Sequence, residues 1–267
     1  MRAHLIRDQQ AFLRYLEVPG ADPPVVWIHG WQCSSTGELA PAAVQPCLAG
    51  RRALLVDLFG HGYSDRPPDF GYTLGEHART VVDLIDALAI SACTVVGHSM
   101  GADIGGHVAI ARPDVVGALV MAEGNLVPRP VNAAVGGTPE AEFVAHGYVE
   151  LLARQASSAA ADPDGVAARH LGITRSCDPR ALHREDVSMA AGHNPSRHDL
   201  QSLAARSTYL VGELSEPDPE FDDELRSLGI ARVVVPDTGH AMGLQNPAGL
   251  ARAVADVLTP SRAVPHR

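Results

Sequence analysis

The sequence predicts an α/β fold: a mostly parallel sheet flanked by helices, opened by an N-terminal hairpin and interrupted by a helical insertion. Three observations carry this. Short, near-continuous apolar runs alternate with helix-like stretches, as strands covered on both faces do. Residues 2–18 alternate instead, the pattern of a half-buried antiparallel hairpin. Between Glu123 and about Gln201 the strand rhythm stops, and it resumes at Thr208.

In chain order, the hairpin turns at Asp8-Gln9-Gln10, and the buried strands read Val25–Ile28, Ala53–Asp57, Thr94–Val96, Ala118–Ala122, Thr208–Val211 and Arg232–Val235. Thr73-Leu74-Gly75-Glu76 is a capping box, and Val81, Leu84, Ile85 and Leu88 fall on one face of the helix it starts. A further helix follows Ser99 from Ala102 to Ala111. In the insertion, Thr138 as cap and Pro139 at the first helical position start a helix through Phe143, Val144, Leu151 and Leu152. Helical pieces follow at Val166–Leu171, Ala181–Ala191 and Arg197–Ala205, and the tail from Thr259 reads as frayed. The division is therefore a core of residues 1–124 and 202–267 with an insertion at 125–201.

At 267 residues the chain suffices for one large α/β domain with an insertion. A net charge of -10 argues against nucleic-acid partners and anionic membrane surfaces. Cys33, Cys47, Cys93 and Cys177 are scattered without metal-ligand spacing and read as buried or semi-buried thiols of a reducing compartment. With no apolar leader and no span-length run, the expected location is cytoplasmic. His183, His193 and His198 lack the spacing of a metal site, and Gly60-His61-Gly62 has none of the accompaniments of a phosphate-binding loop.

Gly97-His98-Ser99-Met100-Gly101 lies between an apolar strand and a helix, the arrangement of a nucleophile elbow. Val25-Val26-Trp27-Ile28-His29-Gly30-Trp31 ends a strand in His-Gly, so the N–H groups of Trp31 and Met100 are the candidate oxyanion donors. Val233-Val234-Val235-Pro236-Asp237-Thr238-Gly239-His240 brings a histidine to a late strand end. With the Asp57–Asp65 loop and Asn246-Pro247 opening the last helix, these motifs resemble the α/β-hydrolase superfamily over nearly the whole chain.

That resemblance implies an α/β-hydrolase fold, a helical cap at 125–201, Ser99 as nucleophile and His240 as base. It also implies that His29 orders the oxyanion loop, that Asp57 and His61 order theirs, and that His98 packs or hydrogen-bonds. The usual acid segment reads Gly212-Glu213-Leu214-Ser215-Glu216 here, with serine in the acid's place. Glu123, ending the strand beyond the elbow, matches the acid placement of zearalenone-type lactonases and many haloalkane dehalogenases; Glu213, Glu216 and Asp218 are the other candidates. A Glu123 oxygen is expected within hydrogen-bond distance of the His240 nitrogen facing away from Ser99. The implied activity is hydrolysis of a moderately bulky ester or lactone through an acyl-enzyme, without cofactor or metal. A ligand-binding or cyclase-like protein, a thioesterase and a C–C bond hydrolase are the alternatives. The sequence leaves the oligomeric state open.

Overall fold

The computed structural model describes residues 1–125, 128–215 and 218–259. Glu216 and the tail beyond Thr259 lie outside the described residues. Strands β1 (Arg2–Ile6) and β2 (Ala11–Val18) form the expected hairpin, turning with Gln10 at φ 49°. Six strands follow: β3 (Ala21–Ile28), β4 (Arg51–Asp57), β5 (Cys93–His98), β6 (Val116–Ala122), β7 (Ser207–Gly212) and β8 (Ala231–Val235). They complete an eight-stranded sheet of order β1-β2-β4-β3-β5-β6-β7-β8. β3 to β8 run parallel, and β2 joins β4 antiparallel. The winding reverses between β3 and β5, and at such a switch point the loops leaving the strands' carboxyl ends open a crevice.

Each sheet face packs on helices because alternate side chains of a strand point to opposite sides. Helices α1 (Ala40–Ala43), α2 (Leu74–Ala87) and α3 (Met100–Ala111) come first. The α2 stripe Val81, Leu84 and Ile85 is fully buried and belongs to the same core cluster as Val26, Val56 and Val95 of the sheet. Thr73 Oγ1 accepts the Glu76 N–H and Glu76 Oε2 accepts the Thr73 N–H, closing the predicted capping box. Past β6 the chain makes a one-turn helix α4 (Glu140–Glu142) and a π-helical turn (Phe143–Gly147). It goes on through α5 (Tyr148–Ala159), α6 (Val166–Thr174), α7 (Pro179–Ala190) and α8 (Arg197–Leu203). No strand occurs between β6 and β7 among the described residues. Helix α9 (Pro219–Leu228) connects β7 to β8, and α10 (Met242–Gln245) and α11 (Pro247–Leu258) follow. Among the described residues no helix is long and apolar enough to cross a membrane.

Four local expectations change. Pro139 has an extended ψ of 136° and stands outside the helix, so Glu140 starts it, and Thr138 Oγ1 donates to Ala133 O instead of capping. β3 starts at Ala21, four residues early, through a register shift. β8 is an edge strand, so only Val235 of it is buried while Val233 and Val234 stay partly exposed. Cys47 is exposed, whereas burial pushes Cys93 up to about 12 and Cys33 and Cys177 well above the ordinary thiol value.

A polar chain inside the molecule ties α7 to the loop after β4. Glu185 is fully buried, with Oε2 3.0 Å and Oε1 2.8 Å from His61 Nε2, and Oε1 2.9 Å from His77 Nε2. His61 Nδ1 donates to Cys33 O at 2.9 Å. Burial pushes Glu185 up to about 7, His61 down to about 4, and His77 below the usual histidine value. The consistent assignment is uncharged: protonated Glu185 donates to His61 Nε2 and accepts from His77 Nε2–H. Because the folded value of Glu185 exceeds its ordinary 4.5, its contribution is complete below 4.5 and is lost as pH rises through about 7. Thermal melting should therefore fall more steeply between about pH 4.5 and pH 7 in the wild type than in Glu185→Gln, which cannot ionise. Parallel melting curves for the two would overturn the uncharged assignment.

Candidate active site

The sharp turn after β5 places Ser99 at φ 52°, ψ −124°, a conformation that L-residues adopt only under constraint. Glycines make the constraint possible. A Cβ on Gly97 would lie 2.1 Å from Gly101 O, and one on Gly101 would lie 2.3 Å from Ile28 O. The Ser99 N–H donates to Ala122 O at 2.8 Å, fixing the turn to the end of β6. A Cβ on Gly30 would come within 3.1 Å of Ser99 Cβ, so the loop leaving β3 passes directly beside the serine.

His240, in the loop after β8, puts Nε2 3.1 Å from Ser99 Oγ. Its Nδ1 faces Glu123, whose Oε2 is 3.8 Å away. That is ion-pair range, longer than the hydrogen bond expected from the sequence. The separation follows from how Glu123 is held. It ends β6 at φ 53°, and its Oε1 accepts the Gly212 N–H at 2.7 Å and the Ser215 hydroxyl at 2.6 Å. Both bonds draw the carboxylate toward the end of β7, leaving Oε2 for the histidine. Burial raises the Glu123 carboxyl, but His240, the Gly212 N–H and Ser215 outweigh it and hold the group below the usual carboxylate range.

Among the described residues, Glu123 is the carboxylate at ion-pair distance from His240. Glu213 accepts the Asp237 N–H at 3.0 Å, and Asp218 caps α9 through the Phe221 N–H at 3.0 Å. Glu216 lies outside the described residues. Trp31 and Met100 follow Gly30 and Ser99, and Met100 opens α3, where the first N–H groups lack an acceptor within the helix. His29 orders its loop, with Nδ1–H donating to Gly30 O at 2.8 Å and Nε2 accepting the Leu58 N–H at 3.1 Å. Asp57 accepts from Thr36 N at 3.1 Å and from Tyr63 N at 3.1 Å. His183 of α7 lies 2.7 Å from Thr138 O through Nε2, and His193 Nδ1 lies 2.9 Å from Ser188 Oγ of the same helix. No set of three or more metal-ligating side chains is gathered among the described residues.

Sequence reasoning missed three contributors. Glu38, buried in a π-helical turn (Ser35–Leu39), touches both the Gly30 loop and the elbow. Nothing in its neighbourhood of serines and a glycine marks it as buried. The Ser215 hydroxyl holds Glu123, and serine in the usual acid's place was the signal available. Arg129 lies 5.2 Å above the Trp31 ring and pairs with Asp186 of α7, contacts made only through tertiary packing.

The arrangement can remove a proton from a hydroxyl poised on a strained turn while a carboxylate offsets the charge on the ring. Known proteins share the fold that carries it. Residues 23–171 match the alpha/beta hydrolase fold family. The chain is 28% identical over 259 residues to the sn-1-specific diacylglycerol lipase ABHD11 of Mus musculus, covering 88% of this chain and 81% of that one. Among solved structures it resembles the enol-lactonase from Burkholderia xenovorans LB400, with TM-score 0.79, 19% identity and coverage of 96% and 99% of the two chains. It also resembles a thermophilic esterase from Thermogutta terrifontis, with TM-score 0.74, 21% identity and 93% coverage of each.

If Glu123 serves His240, Glu123→Gln should slow reaction of Ser99 with a fluorophosphonate by roughly 10² to 10⁴. Ser215→Ala, which removes one of the two bonds to Oε1 but keeps the charge, should slow it by about tenfold. Glu213→Gln and Asp218→Asn should stay within about threefold of wild type. Equal losses in all four variants would remove Glu123 from its place.

Proposed function

The chain belongs to the α/β-hydrolase fold family, and on that footing we propose that it is a serine hydrolase cleaving an ester or lactone of moderate size. The observation that carries the reading is the line from Ser99 Oγ through His240, 3.1 Å at Nε2, to Glu123, 3.8 Å beyond Nδ1. Ser99 Oγ attacks the carbonyl carbon as His240 Nε2 takes its proton. The N–H groups of Trp31 and Met100 receive the oxyanion, and His240 passes the proton to the departing alkoxide. Water, deprotonated by the same ring, then releases the acid. In a lactone the alkoxide stays attached, so the product is a hydroxy acid. Glu123 holds the Nδ1–H tautomer and offsets the imidazolium charge in both halves.

Choice of an acyl–oxygen bond is supported by relatives named as a lipase, an enol-lactonase and an esterase. We assign residues 125–201 as a cap over this site. The Trp31 indole N–H donates to Leu182 O at 3.0 Å, Gln155 Nε2 to Gln32 Oε1 at 2.7 Å, and Thr174 Oγ1 to Gln32 O at 3.2 Å. Helices α5, α6 and α7 thus all seat on the loop that supplies Trp31, and a bulky acyl or alcohol group would lie beneath them.

Turnover measured across p-nitrophenyl esters, lactones and thioesters should favour oxygen esters or lactones. Ser99→Ala should abolish fluorophosphonate labelling and lower kcat by roughly 10³ to 10⁶, with His240→Ala of similar severity. A burst of acyl-enzyme surviving in Ser99→Ala would overturn the nucleophile assignment. Exclusive turnover of thioesters would overturn the substrate class.

A further inference from the structure

We propose that Glu38 and His98 form a positioning pair, in which one buried carboxylate joins the Gly30 loop to the elbow and, through the His98 ring, holds the main chain of the base His240. The inference rests on the serine-hydrolase reading and adds residues that touch neither substrate nor the reacting atoms. Glu38 Oε1 lies 2.6 Å from His98 Nδ1, and Glu38 Oε2 accepts the Gly30 N–H at 3.3 Å. His98 Nε2 lies 2.6 Å from His240 O. Glu38 is 1% and His98 4% exposed, so water does not substitute for these partners.

The protons can be counted. A carbonyl oxygen only accepts, so His98 Nε2 carries a hydrogen. A bare Nδ1 facing a carboxylate at 2.6 Å would set lone pair against lone pair, so a proton lies there as well. Either the carboxyl or the ring carries that proton, and the Gly30 N–H donated to Glu38 Oε2 favours the carboxylate, leaving the ring as an imidazolium. Burial alone would drive both groups neutral, yet Glu38 is held down to about 2, chiefly by the His98 ring, and His98 is raised by Glu38. The other titratable groups facing the pair are His29 and Cys33 beside Glu38, Glu123 and His240 beside His98, and His170 of α6 toward both.

A buried ion pair adds little net stability over apolar packing, which makes its location informative. Ser99, the Gly30 loop and His240 leave three different strands, β5, β3 and β8. Glu38 accepts from the Gly30 loop, and His98, the residue that precedes Ser99, donates to the loop that carries His240. An error of about 1 Å between nucleophile and base costs about 10²-fold in rate.

The test uses the full chain with p-nitrophenyl butyrate. Glu38→Gln keeps the shape but cannot hold an imidazolium, and His98→Gln removes the ring. Each should lower kcat by about 10- to 100-fold with KM within about threefold, and slow fluorophosphonate labelling in parallel. Nitrogen-15 spectra of the wild-type His98 ring at about pH 7.5 should show both nitrogens protonated, with one bare in Glu38→Gln. Variants that melt earlier but keep wild-type kcat and labelling rates would reduce the pair to a core contact and overturn the proposal. So would a bare Nδ1 in the wild type. A wild type that neither hydrolyses an ester nor takes the label overturns the hydrolase reading instead, and the ring-nitrogen spectrum still decides the ion pair.

Discussion

The fold is organised around one backbone constraint, the tight turn that holds Ser99 at φ 52° at the end of the central strand β5. A non-glycine residue there is costly, of the order of 1–3 kcal/mol, and persists only where the surroundings over-determine it. Here they do so from three sides. Gly97 and Gly101 let the turn close on itself and on β3, and the end of β6 accepts the Ser99 N–H. Because β3 and β6 flank β5, the loops leaving both are brought to the serine by sheet pairing alone. The second constrained residue, Glu123 at φ 53°, ends β6. Both of these constrained residues stand at the carboxyl edge of the sheet, where the candidate site lies.

Charge inside the molecule is handled in two opposite ways. In the Glu185 chain, burial with two neutral imidazoles leaves the carboxyl protonated, and hydrogen bonds through it and His61 join α7 to the loop after β4. At Glu38 the facing ring and the Gly30 N–H favour the ionised form, and the same residue type is held as a carboxylate. Burial is complete at both sites, so the difference is set by partners and not by depth. The first arrangement joins helix to core, and the second joins loop to loop at the candidate site.

The helical segment between β6 and β7 adds nothing to the sheet among its described residues, yet it is not loosely attached. It grips the loop after β3 at Trp31 and Gln32 through α5, α6 and α7, and the Arg129 guanidinium covers the Trp31 ring. Movement of these helices is therefore coupled to the loop that carries the Trp31 N–H. Under the hydrolase reading, the shape of the acyl pocket and the placement of the oxyanion donor depend on one set of contacts.

Much of this architecture was legible in the sequence because its signals are local. Continuous apolar runs read as parallel strands, and the Thr73–Glu76 capping box located the start of α2. Glycine spacing around Ser99 marked a turn that only small neighbours allow, and His240 and Glu123 stood at strand ends whose order placed them on the same sheet edge. What the sequence could not decide is how side chains meet across strands. The longer Glu123–His240 separation comes from Ser215 and Gly212 competing for the carboxylate, two residues 92 and 89 positions further along the chain. Nothing local to Glu38 marks it as buried; folding sets it against His98. Exposure of β8 followed from its place at the sheet edge, which composition does not encode. Local patterns determine which elements form, because hydrophobic period and turn chemistry act over a few residues. Burial, ionisation and contact depend on which elements become neighbours, and only the tertiary structure settles that.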